Sequence, residues 1–348
     1  MRWSRSVNPE RPRRRVAALC GAILVAAALT GIPAASGAEP DPVVVSLPAE
    51  SVQFLPFYVA QDEGFFAQQG LAVKLVYLAG VGTTNGVISG AVDFGFSNGA
   101  SITRAAARGQ RLIAIALMAD RPTWSIILRA DVAAASHFDP QAPLAERARL
   151  MAGRRIAVDS IQSVAHAYTR VMAKLGGLDP ESVAVSPLAA TEAIAAMQRK
   201  AIDGITIASP WQEQMAADGS GTIIADSLKG DPAWLTPFAG GLVITRVSFC
   251  AERRQSCLRM GQALVAAVTF VHDRKEDALA ILLKHFPTFA PAVLQRAFET
   301  VQTATPATPA PTAAAVANSD HLNLEAGFIT VDEQLKSYDG LVTDEYVR

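Results

Sequence analysis

Asn98-Gly99-Ala100 and the pair Ser160 and Ser163 put small polar residues where an apolar run gives way to a helical pattern. The first N–H groups of a helix lack partners within it and sit at the positive end of its dipole. Such an end suits the oxygens of an anion or the carbonyl of a neutral ring; plain N-capping is the competing reading. His166, one turn beyond Ser163, either reaches a ligand or completes a structural hydrogen bond. Arg121 bears most on ligand class. Aimed inward, its planar guanidinium would make a two-pronged anion site; lying along its stem to solvent, it would leave an uncharged aromatic pocket. Trp124 and Trp211 offer flat apolar walls, either for a ring or for the core.

Catalytic chemistry has few candidates. No cysteine stands between Ala38 and Cys250, the sequence has no phosphate loop, and His137, His166, His272, His285 and His321 show no metal-ligand spacing. Asp93 and Asp203 each precede an expected strand, and we read both as turn or cap residues. The expectation is binding without catalysis, with no cofactor and no metal. Cys250 and Cys257 bracket the segment CAERRQSC. On one continuous helix their sulfurs would stand roughly 11 Å apart. A loop between a strand and a helix beginning near Ser256 would let them pair, and an oxidising compartment favours that; two free or buried thiols are the alternative.

The elements that must position these residues alternate. Strands are expected at 43–47, 71–77 and 94–97, with helices between. Pro56 sits near one helix start and Gly70 past its end, and Tyr58, Phe65 and Phe66 share a helical face. This rhythm implies crossovers in a parallel sheet, where ligands bind beyond the carboxyl ends of strands. A strand at 112–117 continues through ADRPTWSIILRAD out of the first lobe, and a polar connection at 133–144 follows. A second unit repeats the logic, with strand 155–158, helix 163–175, helix 191–199 and the strand of AIDGITIASPW. Segments 222–225 and 242–245 look like the return, helices follow at 257–271 and 277–286, and 303–315 reads as a loop. The fold class is α/β with two lobes, each a mainly parallel sheet flanked by helices. The first lobe takes 39–126 and, after the return, 241–348; the second takes 127–240. The cleft between them is the natural binding place.

The N-terminus says where that cleft works. Arg2, Arg5, Arg11, Arg13, Arg14 and Arg15 precede an uncharged run from 16 to 29, shorter than the roughly 20 residues of a membrane span. Ser36-Gly37-Ala38 supplies small residues for cleavage after Ala38, so residues 1–38 read as a signal peptide and the chain as periplasmic. Cys20 follows Leu19, a poor lipoprotein site, and Arg13–Arg15 leave the Sec and twin-arginine routes both open. The whole chain carries a formal net charge of −1, and removing the arginine-rich segment makes it more acidic. That balance, with no basic stretch interleaved with aromatics, excludes nucleic acid as a partner. A monomer is expected.

Four segments in order resemble one family. FLPFYVAQDEGFFAQQGLAV, GVISGAVDFGFSNGAS, AGRRIAV with LGGLDPESVAV, and AIAAMQRKAIDGITIASPW are similar to the solute-binding proteins of ABC importers for sulfonates, taurine, nitrate and thiamine-pyrimidine-type compounds. The resemblance covers nearly the whole mature chain and implies the type II periplasmic-binding-protein fold. Lys200 departs from the family's usual glycine and Gly204 from its alanine, both at a turn. The resemblance further implies that the loop 50–54 lies at the cleft mouth, where Ser51 and Gln53 hydrogen-bond a ligand and Phe54 stacks on it or tucks into the core. The implied partners are a small solute, favoured to be a sulfonate-, taurine- or nitrate-like anion with a neutral pyrimidine or aromatic ring as the alternative, and an ABC permease with its ATPase. Enzymes on this backbone use cysteines that this chain lacks.

Overall fold

The computed structural model describes residues 39–348, which form one compact unit; the expected signal peptide lies outside the described residues. Ten strands among the described residues build two sheets: β1 (Asp41–Leu47), β2 (Leu71–Tyr77), β3 (Phe94–Ser97), β4 (Leu112–Ala119), β5 (Trp124–Arg129), β6 (Arg155–Val158), β7 (Ala184–Pro187), β8 (Gly204–Ala208), β9 (Gly221–Asp226) and β10 (Gly241–Arg246). Their orders are β2-β1-β3-β10-β4 and β7-β6-β8-β5-β9. The two orders are one plan used twice. In each sheet three neighbouring strands run parallel, a fourth strand continues that direction at the far edge, and an antiparallel strand lies between. That antiparallel strand is borrowed: β10 reaches the first sheet from beyond the second, and β5 opens the second sheet directly after the first.

The sheets are mainly parallel as expected, each with one antiparallel member because the crossing strand arrives from the opposite direction. Segment 222–225, expected in the return, is part of β9 and pairs antiparallel with β5 in the second sheet; β10 alone makes the return. The second sheet also begins at Trp124 rather than at 127, and the loop expected over 303–315 shrinks to 305–312 between helices Pro291–Ala304 and Ala313–Glu325.

Alternation drives the first core. Val43, Val45 and Leu47 of β1 are buried, all four β3 residues are buried, and helices Leu55–Asp62 and Arg254–Asp273 cover them. Each large apolar side chain so enclosed contributes about 1.5–3 kcal/mol. Asp93 and Asp203 play matching structural parts: the Asp93 carboxylate accepts the N–H of Val44 at 2.8 Å, and that of Asp203 the N–H of Arg155 at 2.9 Å. Each ties one parallel strand to the lead-in of its neighbour.

Cys250 and Cys257 are joined by a disulfide. The helix is interrupted at Arg253, between Val247–Glu252 and Arg254–Asp273, and the break brings the two Cα atoms to 5.7 Å. Helix Ala313–Glu325 ties the halves together. Asn323 donates to the Ala100 carbonyl at 2.9 Å, while Lys174 and Arg170, on helix Val164–Leu175, reach the carbonyls of Glu325 and Ala326.

Candidate functional site

The loops that follow the parallel strands of the two sheets approach one another. Arg104, on helix Gly99–Ala107, donates to the Gln162 carbonyl at 3.2 Å, and a Cβ at Gly80, beyond β2, would stand 4.0 Å from the Ser160 hydroxyl. The cleft is therefore bounded by the ends of β1, β2 and β3 on one side and by the β6 loop on the other.

A cavity lies where β1 and β4 end and β5 begins, lined by Gln53, Arg121, Thr123, Trp124 and Thr300. Ser51 caps the short turn Val52–Phe54 by accepting the Gln53 N–H at 3.3 Å, and the Gln53 amide then donates to the Thr123 hydroxyl at 2.7 Å. Arg121 lies along the rim, its Nε on the Asp120 carboxylate at 2.8 Å and its side chain 34% exposed. Trp124 meets Phe238 edge-on at 6.4 Å and keeps a half-buried face at the cavity. So Gln53, Arg121 and Trp124, expected separately, come together. Thr123 and Thr300 join them unforeseen. Thr123 sits in the sequence between two residues already singled out, whereas Thr300 lies in an amphipathic helix that gave no signal.

Other expected contacts are engaged elsewhere. Phe54 is 3% exposed and packs edge-on against Phe96 at 4.6 Å, so it belongs to the core; alternate burial of the β1 turn draws it inward. Asn98 accepts the Ser101 N–H at 2.8 Å, which is plain N-capping. The Gly99 N–H donates to the Ala239 carbonyl at 2.8 Å, and Ala100 is buried in an apolar cluster. That helix end is occupied by the chain itself because helix Ala313–Glu325 presses on it: a Cβ at Gly99 would collide with Ser319 and Ala239. Trp211 opens helix Trp211–Ala217 and meets Phe289 edge-on at 4.7 Å, away from the Gln53–Trp124 cavity.

On the facing rim, Ser163 caps helix Val164–Leu175 by accepting the His166 N–H at 3.2 Å and donates to Asp159 at 2.5 Å. Asp159 meets solvent on one side and protein on the others. Desolvation raises its carboxyl above the usual range, against the pull of the Ser163 hydrogen bond. His166 is 8% exposed, accepts the Gln162 N–H on Nδ1 at 3.0 Å and leans on Phe328. Burial first, then Arg170, lowers its pKa, so at neutral pH the imidazole is uncharged with its proton on Nε2. It completes a structural hydrogen bond and orders the loop that carries Ser160, whose hydroxyl stays at the cleft. This arrangement can hold a solute by hydrogen bonds and an aromatic wall, and its polar groups come from both sheets.

A family model described as NMT1/THI5 like matches residues 51–278. No curated protein matches the sequence. Among solved structures, the chain is similar to the alkanesulfonate-binding protein SsuA from Xanthomonas axonopodis pv. citri bound to MOPS, at 17% identity over 88% of this chain and 99% of that one, with a TM-score of 0.68. It is also similar to the periplasmic aliphatic sulphonate binding protein SsuA from Escherichia coli, at 15% identity over 87% and 99% with a TM-score of 0.66. The periplasmic nitrate-binding protein NrtA from Synechocystis PCC 6803 gives 14% identity over 88% and 87%, with a TM-score of 0.70. At such identities the likeness is one of fold.

Proposed function

The chain belongs to the NMT1/THI5-like family, and we propose that it is an exported solute-binding protein of an ABC importer, working as a monomer in the periplasm. It captures a small solute between two lobes, one of 39–126 with 241–348 and one of 127–240, and delivers it to a permease with its ATPase. The observation that carries this reading is the convergence of Gln53, Thr123, Trp124 and Thr300 on one cavity at the crossing between the sheets. A solute held there and touched by Ser160 from the facing rim favours the closed arrangement alone, so binding acts as a population shift. No nucleophile is needed.

The sequence favours a sulfonate-, taurine- or nitrate-like anion, in keeping with what SsuA and NrtA are named for binding. Two observations favour the alternative, a neutral pyrimidine or aromatic ring. The Gly99 N–H is spent on Ala239, and Arg121 is neutralised by Asp120. What remains around Trp124 is hydroxyl and amide.

A thermal-shift screen with sulfonates, taurine, nitrate, pyrimidines and aromatic acids tests the role. A true ligand at 100-fold over its Kd adds about 2.7 kcal/mol of stability. Trp124→Ala and Gln53→Ala should each weaken the best hit about tenfold. If both variants bind it as the parent does, the solute is not held in this cavity.

A further inference from the structure

On the other side of Thr300 lies a second cavity of about 340 Å³. Its deep end is formed by Gln212 and Glu213, 5% and 8% exposed. Its outer rim carries the exposed Arg296 and Glu299, and Lys229 there pairs with Asp226 at 3.6 Å. Thr300 lines both cavities.

The hydrogen bonding at the deep end is lopsided. Glu213 Oε1 accepts from the Ser209 hydroxyl at 2.5 Å, from the Thr300 hydroxyl at 2.9 Å and from the Gln212 amide at 3.1 Å. Glu213 Oε2 and Gln212 Oε1 are buried and accept nothing. Native proteins leave few such groups without a partner, and here there are two side by side, both acceptors. The Ser209, Thr300 and Gln212 bonds also fix the carboxylate in place, so it is held ready rather than loosely exposed.

Two neighbouring acceptors, one of them a carboxylate, call for a group with several donors and positive charge. We propose that the Gln212–Glu213 end of this second cavity is a subsite for the nitrogen cation of an organic solute, an ammonium or amidinium whose N–H groups go to Glu213 Oε2 and Gln212 Oε1. A sulfonate, nitrate or carboxylate brings only acceptors and meets like charge. A metal ion would find one carboxylate and one amide oxygen; among the described residues no group of three or more His, Cys, Asp or Glu is arranged to hold one. The subsite rests on the reading of the cleft as a solute site, and it narrows the solute to one with a nitrogen cation beside the part that Trp124 and Gln53 hold.

The test uses the purified protein with methylammonium, benzamidine and agmatine, set against sodium methanesulfonate, sodium nitrate and calcium chloride at constant ionic strength. At least one nitrogen cation is expected to raise Tm, and Glu213→Gln to weaken its calorimetric Kd tenfold or more while leaving the ligand-free Tm within a degree or so. Should that variant fail to fold, Gln212→Leu removes the other acceptor and is expected to give a comparable loss. A shift that both substitutions leave unchanged, a shift with calcium alone, or no shift with any nitrogen cation overturns the subsite. Binding of an anion or neutral ring that depends on Gln53 and Trp124, with the nitrogen cations silent, overturns it while the transport role stands. Silence from every probe in this panel and in the wider screen takes down both.

Discussion

His166 is a neutral imidazole because the fold surrounds it, and its titration should be legible in the stability of the protein. Its folded pKa lies below the unfolded value of about 6.5. The unfolded chain therefore binds the proton more readily, and stability rises with pH across that window. Acidification from pH 7 through 6.5 should lower Tm until the folded pKa is passed. His166→Asn keeps an acceptor for the Gln162 N–H and should flatten the Tm profile between pH 5.5 and 7; equal slopes for both proteins would show that His166 does not titrate as described. At this scale the sequence marks polar positions well and their partners poorly. Asn98 and Ser163 are readable as caps because the cap bond is local. That the Gly99 N–H is taken by Ala239, or that Phe54 turns inward onto Phe96, depends on residues far along the chain. Arg121 is a harder case: its partner is the adjacent Asp120, but only the backbone direction at the end of β4 decides whether the two side chains meet.

The elements were largely visible because their signals are periodic. Most strands and helices fall where alternation puts them, and the family motifs mark the same loops. The one helix expected between Pro56 and Gly70 is instead two, Leu55–Asp62 and Phe65–Gln68, broken at the left-handed Gly64, so Tyr58 and the pair Phe65 and Phe66 do not share one helical face. The other misses come from pairing, which periodicity does not encode: β9 and β10 look alike as short apolar runs, yet one closes the second sheet and the other returns to the first. The interrupted helix around Arg253 is a middle case, since CAERRQSC permits either a continuous helix or a break. The break carries a cross-link over a short loop, and Cys250 and Cys257 are both buried against the first core. Replacing both by serine should cost about 2 kcal/mol, read from urea unfolding, and should leave solute affinity within about twofold because the pair lies in the helical layer, outside the cleft cavity. A loss of binding equal to the loss of stability would place the helix junction in the site.

Across the whole molecule, the repeated plan makes each half depend on a strand from the other, and helix Ala313–Glu325 adds a third tie through Asn323, Arg170 and Lys174. The borrowed strand β10 sets a timetable as well as a shape. During synthesis β1 to β4 are complete by Ala119, yet β3 and β4 have no common neighbour until Gly241–Arg246 is made. Until then both present unpaired backbone along buried-type, apolar strands, which is the template for wrong pairing between chains. The second sheet has no such wait, since β5 precedes the strands it joins. A chain ending at residue 240 should therefore partition into the pellet on sedimentation, while one ending at 311, which keeps β10, should stay largely in the supernatant. Equal partition would mean the first sheet closes without its late strand. The nascent chain thus carries open strand edges over more than a hundred residues of elongation, a delay in which a holdase chaperone is expected to bind it.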